Sequence, residues 1–311
     1  MKIDNLLACP ACKSDLIKHS DNFMCVNKMC PHSNADKFFS CIDKIPILIS
    51  ETECDTIFSS SHLESLVVRT GDGGIFKLFK KHIVGKSKVT EANISNFIKH
   101  LNEANKRPSV LIIGAGEIGS GTDELYSSNA ELVGTDIYLS SNIDYLADAH
   151  YLPFKDKTFD GVLIQAVLEH VADPCLVVSE IHRVLKKDGF VYAETPFMQQ
   201  VHEGAYDFTR YTVVGHRYLF KCFDRIDVGG LDGVGVVLAW SIRAFIHGIT
   251  RSRLIAKLFF IPFKYALTFI EKLASPRSLY DGNSGSYFLG KKSTNIITHK
   301  DAVKEYAGSD R

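Results

Sequence analysis

Two groups of side chains in this chain have the residue types and spacing to do chemistry. The first is a set of four cysteines, Cys9-Pro-Ala-Cys12 and Cys25-Val-Asn-Lys-Met-Cys30. Thiolates two to four residues apart can bind one ion from a tight turn, and a second pair completes the tetrahedron of a structural zinc site. His32 could stand in for Cys30 as the fourth ligand. Ordinary reduced thiols are the plainer reading. Against it, so small a segment holds too little core to fold without a staple, and paired spacing suits a metal. Six of the eight cysteines precede residue 55, a composition shift that marks a separate module. Cys41 and Cys54 lack close partners and read as buried apolar side chains.

The second group lies in Thr195-Pro-Phe-Met-Gln-Gln-Val-His202-Glu203-Gly-Ala-Tyr206-Asp207-Phe-Thr-Arg210-Tyr211-Thr212. His202 has a pKa suited to taking a proton from a hydroxyl. Asp207 could orient it or act as the base, Arg210 could hold a phosphate or carboxylate, and Tyr211 completes the catalytic set. The bland alternative is that Asp207 and Arg210 pair with each other and cap the next helix.

The elements that must position this loop are legible upstream. From Thr90 the pattern alternates strands and helices, as a parallel α/β sheet does. Ile94, Phe97, Ile98 and Leu101 recur at helical spacing, and Pro108 ends that helix. Val110-Leu-Ile-Ile113 is a β-branched run that turns through Gly114-Ala-Gly116-Glu-Ile-Gly119-Ser-Gly121, which lets bare backbone approach a ligand. The next strand ends on Asp136, an acid placed to bind two ribose hydroxyls. By themselves these features fit NAD, FAD or S-adenosylmethionine. Asp136 could also cap a helix, and Asp148 could be a turn residue.

The residues downstream of Asp136 narrow the choice. Asp148-Ala149, Leu152-Pro-Phe, the strand Gly161-Val-Leu-Ile-Gln165, Val167-Leu-Glu-His-Val171 and Asp173-Pro174 occur in order. A helix is expected through Lys187, stopped by Asp188-Gly189, and then the strand Phe190–Thr195. From Val110 to Pro196 the chain resembles class I S-adenosylmethionine-dependent methyltransferases of the methyltransferase type 11 group. The resemblance implies that Gly114, Gly116 and Gly119 approach the methionine part of the cofactor and that Asp136 binds the ribose. It also implies that Asp148, with Ala149 beside it, receives the adenine amino group, while Gln165 closes the pocket. Glu169 and His170 would orient a loop. Two positions depart from that pattern: Ile112 stands where the family carries an acid, and Ile118 where it often has glycine.

The cysteine pairs with Phe38-Phe-Ser-Cys-Ile-Asp-Lys-Ile-Pro-Ile-Leu-Ile49 resemble the zinc ribbon typified by Trm112 proteins, with a structural or partner-facing role. The Asp207-Phe-x-Arg210-Tyr211-Thr212 stretch resembles methyltransferases of surface-glycan and lipid-linked saccharide pathways.

Between a sixth strand, Lys221–Val228, and a seventh, Ser286–Lys292, lies a long insertion. From residue 240 to 277 it carries seven lysines and arginines against Glu271 alone, interleaved with Trp240, Phe245, Phe259, Phe260, Phe263, Tyr265 and Phe269. Such helices can lie in a membrane surface, pack on the core or form a dimer face. Lysine plus arginine equals aspartate plus glutamate at 36 each, which argues against a general nucleic-acid binder. Met1–Leu7 is too short and polar for a signal peptide, and the longest apolar run, Leu254–Ile270, is broken by Lys257 and Lys264. A cytoplasmic protein with reduced thiols is expected, peripheral at most to the inner face of the membrane.

The expected architecture is therefore a zinc ribbon over 1–50, a linker or lid over 51–89, and a methyltransferase domain over 90–293. That domain is read as a Rossmann-like α/β fold: a seven-stranded, mostly parallel sheet with helices on both faces and a helical insertion over 231–283. A polar tail covers 294–311. The expected activity is methyl transfer to an oxygen of a sugar or lipid-linked glycan precursor. An RNA methyltransferase and a non-catalytic cofactor-binding module are the alternatives, the latter favoured by Ile112.

Overall fold

The computed structural model describes residues 4–19, 22–34, 38–57 and 87–309. Of the linker or lid expected over 51–89, in which Gly71–Gly74 reads as a loop and Ile75–Val84 as a short basic helix, residues 58–86 lie outside the described residues. The N-terminal module consists of two small antiparallel hairpins, β1 (Leu16–His19) with β2 (Asn22–Cys25) and β3 (Cys41–Ile42) with β4 (Ile45–Pro46).

The large sheet has seven strands: β5 (Ser109–Ile113), β6 (Glu131–Asp136), β7 (Tyr145–Leu146), β8 (Phe159–Gln165), β9 (Leu185–Pro196), β10 (Phe223–Gly230) and β11 (Gly285–Lys292). Their order is β10-β11-β9-β8-β5-β6-β7. The five strands from β9 to β7 are parallel, and β11 is antiparallel to both of its neighbours. Apolar side chains fill both faces of the central strands, as parallel strands require: Leu111 and Ile113 point to one core, Val110 and Ile112 to the other.

Helix α1 (Lys88–Ala104) is capped by Ser87 and buries Ile94, Phe97, Ile98 and Leu101 on the second core. Helix α2 (Asp123–Tyr126) is a single turn, and α3 (Pro174–Val184) starts where Asp173 accepts the Leu176 amide. The sequence pattern carries α3 on through Lys187, but it stops at Val184. Leu185 is already paired with Phe159 in the sheet and fully buried, so strand pairing and burial overrule the local helical preference.

Helix α4 (Val213–Leu219) comes after the acceptor-side loop. Between β10 and β11 rise α5 (Val234–Thr250), α6 (Arg253–Ile270) and α7 (Pro276–Asp281). The residues after 293 include α8 (His299–Lys304), closed by a Thr298/Asp301 capping box. Just beyond it Glu305 accepts a 2.9 Å hydrogen bond from Arg217.

The N-terminal module is joined to the large sheet at many points. Ile47 pairs in parallel with Leu146 on the edge strand, and the Leu48 amide donates to the Leu146 carbonyl at 2.8 Å. Leu7, Phe23 and Phe39 belong to the same buried cluster as Phe154, Val162 and Ile181. Lys13 reaches Glu180 of α3 at 2.8 Å, and Arg183 holds the same carboxylate.

Burial alone would raise the pKa of Glu180, but the bonds from Arg183 and Lys13 outweigh it and hold the carboxyl below its usual range. A depressed folded-state pKa contributes stability above the ordinary carboxylate range, and that stability is lost as the pH falls through the folded value. Glu180→Gln is expected to cost about 2 kcal/mol at pH 7, below the usual figure for a broken buried pair because Lys13 is partly exposed. The gap between the two urea unfolding midpoints should shrink on acidification to pH 4. An unchanged gap would contradict the assignment.

Candidate active site

The cofactor end is built where β5 gives way to the glycines. Gly114 has φ +81°, and a Cβ there would lie 2.3 Å from Val167, so the turn admits only glycine. The Gly116 amide donates to Oδ2 of Asp136 at 2.9 Å, and a Cβ on Gly116 would crowd that same oxygen. Oδ1 of Asp136 accepts from the Tyr138 amide at 3.0 Å. The acid at the tip of β6 thus holds the glycine loop and its own following turn with one carboxylate. At Gly119 the room for a side chain is taken by Gln165.

Asp148 caps a short turn over Ala149–Tyr151. Its Oδ1 accepts the His150 amide at 2.9 Å and faces the His150 ring at 2.6 Å, and its Oδ2 accepts the Thr56 hydroxyl at 2.5 Å. Although burial opposes it, these bonds hold the carboxyl below its usual range, so Asp148 presents a carboxylate to the cavity. Ile112 points away into the core behind β5, at 5% exposure. A further acid lining the cavity comes from β9. Glu194, paired with Gln165 across the sheet, accepts from Thr90 (2.7 Å), Gln165 (2.5 Å) and Tyr192. Burial raises its pKa. Nothing in the strand pattern Phe190–Thr195 singles Glu194 out; only the pairing of β8 with β9 brings it to the cofactor end.

These residues line one end of a cavity of about 1070 Å³. Its other end is walled by His170, His202, Glu203 and Tyr206, and its roof by Val236, Trp240 and Phe260 of the α5–α6 hairpin. Of the four loop residues expected to be catalytic, His202 faces the cavity, whereas Asp207, Arg210 and Tyr211 stand behind it. Arg210 grips Asp207 with two nitrogens and donates to the carbonyls of Gln199 and Thr209. With Arg210 bound to it, and despite burial, the Asp207 carboxyl lies far below its usual range. Asp207 in turn accepts the His202 amide at 2.9 Å. Thr212, not Asp207, caps α4. Tyr211 packs on the first core, and its carbonyl accepts from Ser286. The structure also sets Glu169 and His170 beside His202, at 3.9 Å and 4.9 Å respectively.

In the N-terminal module the four cysteine sulfurs all lie within 4.8 Å of one another, with Cys9–Cys30 at 3.8 Å and Cys12–Cys25 at 3.4 Å. Zinc–sulfur bonds of about 2.3 Å in a tetrahedron span sulfur–sulfur edges of about 3.8 Å, so this donor set fits the ion. His32 stands outside the set, with Nε2 2.6 Å from Ser50 Oγ and its ring stacked on Phe39. Cys54 is buried and apart from the four.

The strand order with one antiparallel strand, the glycine turn and the acid at the tip of β6 together define a methyltransferase domain of the Rossmann-like class. Residues 111–193 match the family model "Methyltransferase domain", and this part of the chain is a class I S-adenosylmethionine-dependent methyltransferase domain. Over 155 residues the chain is 27% identical to a ubiquinone/menaquinone biosynthesis C-methyltransferase of Saccharophagus degradans, covering 46% of this chain and 59% of that one. It is 33% identical over 125 residues to the same-named protein of Cellvibrio japonicus, covering 38% and 48%. The chain thus spans less than two thirds of the length of the curated relatives it matches. A solved S-adenosylmethionine-dependent methyltransferase from Archaeoglobus fulgidus aligns at 16% identity and TM-score 0.43, over 70% of this chain and 100% of that one.

Proposed function

We propose that the protein transfers the methyl group of S-adenosylmethionine to an oxygen on the polar head of a lipid-linked acceptor, a glycan precursor in the first instance. One observation carries this reading: the cavity that begins at the glycine loop ends under a basic helical hairpin whose outer face is apolar and bare. Phe245, Ile249, Leu254, Leu258 and Phe269 are each more than 60% exposed on α5 and α6, while Val236, Ala239, Ala256 and Phe260 face inward. Among the described residues no helix is long and apolar enough to cross a membrane. A hairpin like this suits the interface, its aromatics in the acyl boundary and Arg251, Arg253 and Lys257 near anionic headgroups. Two such basic faces would repel each other, which disfavours a homodimer through the same surface.

In the reaction the acceptor oxygen attacks the methyl carbon in line with sulfur. The carbon–sulfur electron pair returns to sulfur, the sulfonium charge is neutralised, and S-adenosylhomocysteine leaves. The protein's task is alignment and removal of the hydroxyl proton. Gly114, Gly116 and Gly119 admit the methionine part, Asp136 takes the ribose, and Asp148 with Ala149 takes the adenine. Gln165 closes the floor, and Glu194 supplies the acid for the amino group that Ile112 cannot. His202 faces the acceptor, steadied by Asp207, which Arg210 clamps, on a loop that Tyr211 anchors; the proton leaves on this side. In the N-terminal module Cys9, Cys12, Cys25 and Cys30 hold a structural zinc.

A second reading, C-methylation of a quinone ring, is favoured by the names of the curated relatives and uses the same lipid-facing hairpin. Incubating the protein with radiolabelled S-adenosylmethionine and a membrane lipid extract separates the two. Label in saccharide-bearing lipid is expected; label in the quinone fraction selects the second reading, and label in neither overturns both.

The hairpin carries its own prediction. Each exposed phenylalanine contributes about 1.5–3 kcal/mol on burial. Phe245→Glu with Phe259→Glu should therefore weaken sedimentation with phosphatidylglycerol vesicles by tenfold or more, with affinity for S-adenosylhomocysteine unchanged. Equal sedimentation of parent and variant would remove the membrane from the proposal.

A further inference from the structure

Glu169 is fully buried, yet neither of its carboxylate oxygens has a hydrogen-bond partner on another residue. Leaving a buried carboxylate uncompensated is among the costlier things a fold can do. Two imidazole nitrogens lie within 4 Å of it: Nε2 of His170 at 3.6 Å and Nε2 of His202 at 3.9 Å.

The other nitrogen of each ring fixes what those two offer. Nδ1 of His170 sits 2.8 Å from the Tyr206 carbonyl oxygen, which can only accept, so the proton is on Nδ1 and a lone pair on Nε2. Nδ1 of His202 faces Oδ2 of Asp207 at 3.4 Å, a carboxylate held in place by Arg210. With its proton on Nδ1, facing that carboxylate, His202 would turn the Nε2 lone pair toward Glu169. Three groups that can each offer a lone pair therefore converge on one small space. Their atoms lie within 4.8 Å of one another.

We propose that Glu169, His170 and His202 bind a divalent first-row transition-metal cation at the acceptor end of the cavity. Two imidazoles and one carboxylate form a set that holds such ions while leaving coordination positions open. The Tyr206 carbonyl and Asp207 supply the outer hydrogen bonds that orient metal-binding histidines. His170 and His202 line the cavity, so the open positions face the acceptor. A hydroxyl oxygen bound there becomes more acidic and is held in register with the methyl carbon, its proton leaving to water at the cavity mouth. That use of the ion rests on the reading of the cavity as a methyl-transfer site; the binding itself does not.

Manganese(II) is the discriminating probe, because a hard cation leaves the four thiolates of the N-terminal module to zinc. The full-length, zinc-loaded protein is titrated with manganese chloride while the free ion is followed by electron paramagnetic resonance. One saturable manganese per chain is expected, weakened about tenfold or more by Glu169→Gln and by His202→Ala, and less by Asp207→Asn. Unchanged affinity for S-adenosylhomocysteine and an unchanged circular dichroism spectrum show that the variants are folded. Manganese uptake equal in the parent and in the Glu169→Gln/His202→Ala double variant overturns the site. Saturable manganese binding in a protein that methylates no acceptor leaves the site standing and removes only the catalytic reading.

Discussion

Asp136→Ala is expected to lower the affinity for S-adenosylhomocysteine by about 100-fold or more. In the structure this carboxylate accepts from two backbone amides, those of Gly116 and Tyr138, and so sets the shape of the glycine loop before any cofactor arrives. With cofactor bound, the proposed role adds the two ribose hydroxyls. A hydrogen bond to a charged group is worth about 1.5–3 kcal/mol, so losing two places the effect between about 3 and 6 kcal/mol. Each 1.4 kcal/mol is tenfold in a binding constant, which puts the loss at about two to four decades. Asp136→Asn keeps the side-chain size and one of the two acceptor oxygens but loses the charge, and should fall between the parent and the alanine variant. The two amides open on the cavity, where water can replace the lost acceptor, so the melting temperature should change little. Calorimetric titration with S-adenosylhomocysteine and, separately, NAD makes the test. Parent-like binding by Asp136→Ala would remove the ribose from this strand tip, and binding of NAD alone would overturn the cofactor assignment.

The largest expected effect on stability comes from removing zinc. Chelation, or Cys25→Ser, should lower the melting temperature of the whole protein by more than about 10 °C, in a single transition. Structural zinc sites contribute about 10–16 kcal/mol of apparent binding energy in isolated peptides. In a domain of this size about 1 kcal/mol moves the melting point by about 2–4 °C, so even a third of that energy reaches the stated shift. The transition should be single because the module has no core of its own. Leu7, Cys9, Phe23 and Cys25 lie in one cluster with Phe154, Phe159 and Leu185 of the large domain. The Ala8 amide donates to the Pro153 carbonyl, and the Lys155 amide to Leu6. Two separate transitions on differential scanning calorimetry, with the upper one indifferent to chelator, would show the module to be an independent appendage.

Much of this arrangement was legible in the residues because the relevant signals are local. The glycine turn between a β-branched run and Asp136, the cysteine spacing, the alternation of strands and helices and the basic aromatic insertion are all patterns of near neighbours. Spacing of apolar residues reports which face of an element is buried, and glycine reports where backbone must bend. The seven-stranded, mostly parallel sheet and the helical insertion before its last strand followed from that order of elements and the resemblance it carries.

Where distant segments meet was not written in any such pattern. Ile112 faces the core, and Glu194 reaches the cavity only through the register of β8 with β9. Arg210 could be read as holding an anion or as pairing with Asp207; the loop folds back so that it closes on Asp207, while Thr212 caps α4. The end of α3 was set by the pairing of Leu185 in the sheet, not by its own helix-forming residues. Glu169 read as a loop-orienting residue, and only the return of a separate loop brought His202 to its bare carboxylate. Local sequence determines the elements and their buried faces, because propensity and hydrophobic period act over a few residues. The tertiary structure alone decides which strand tips and loops converge, because those contacts are selected by packing the whole core at once.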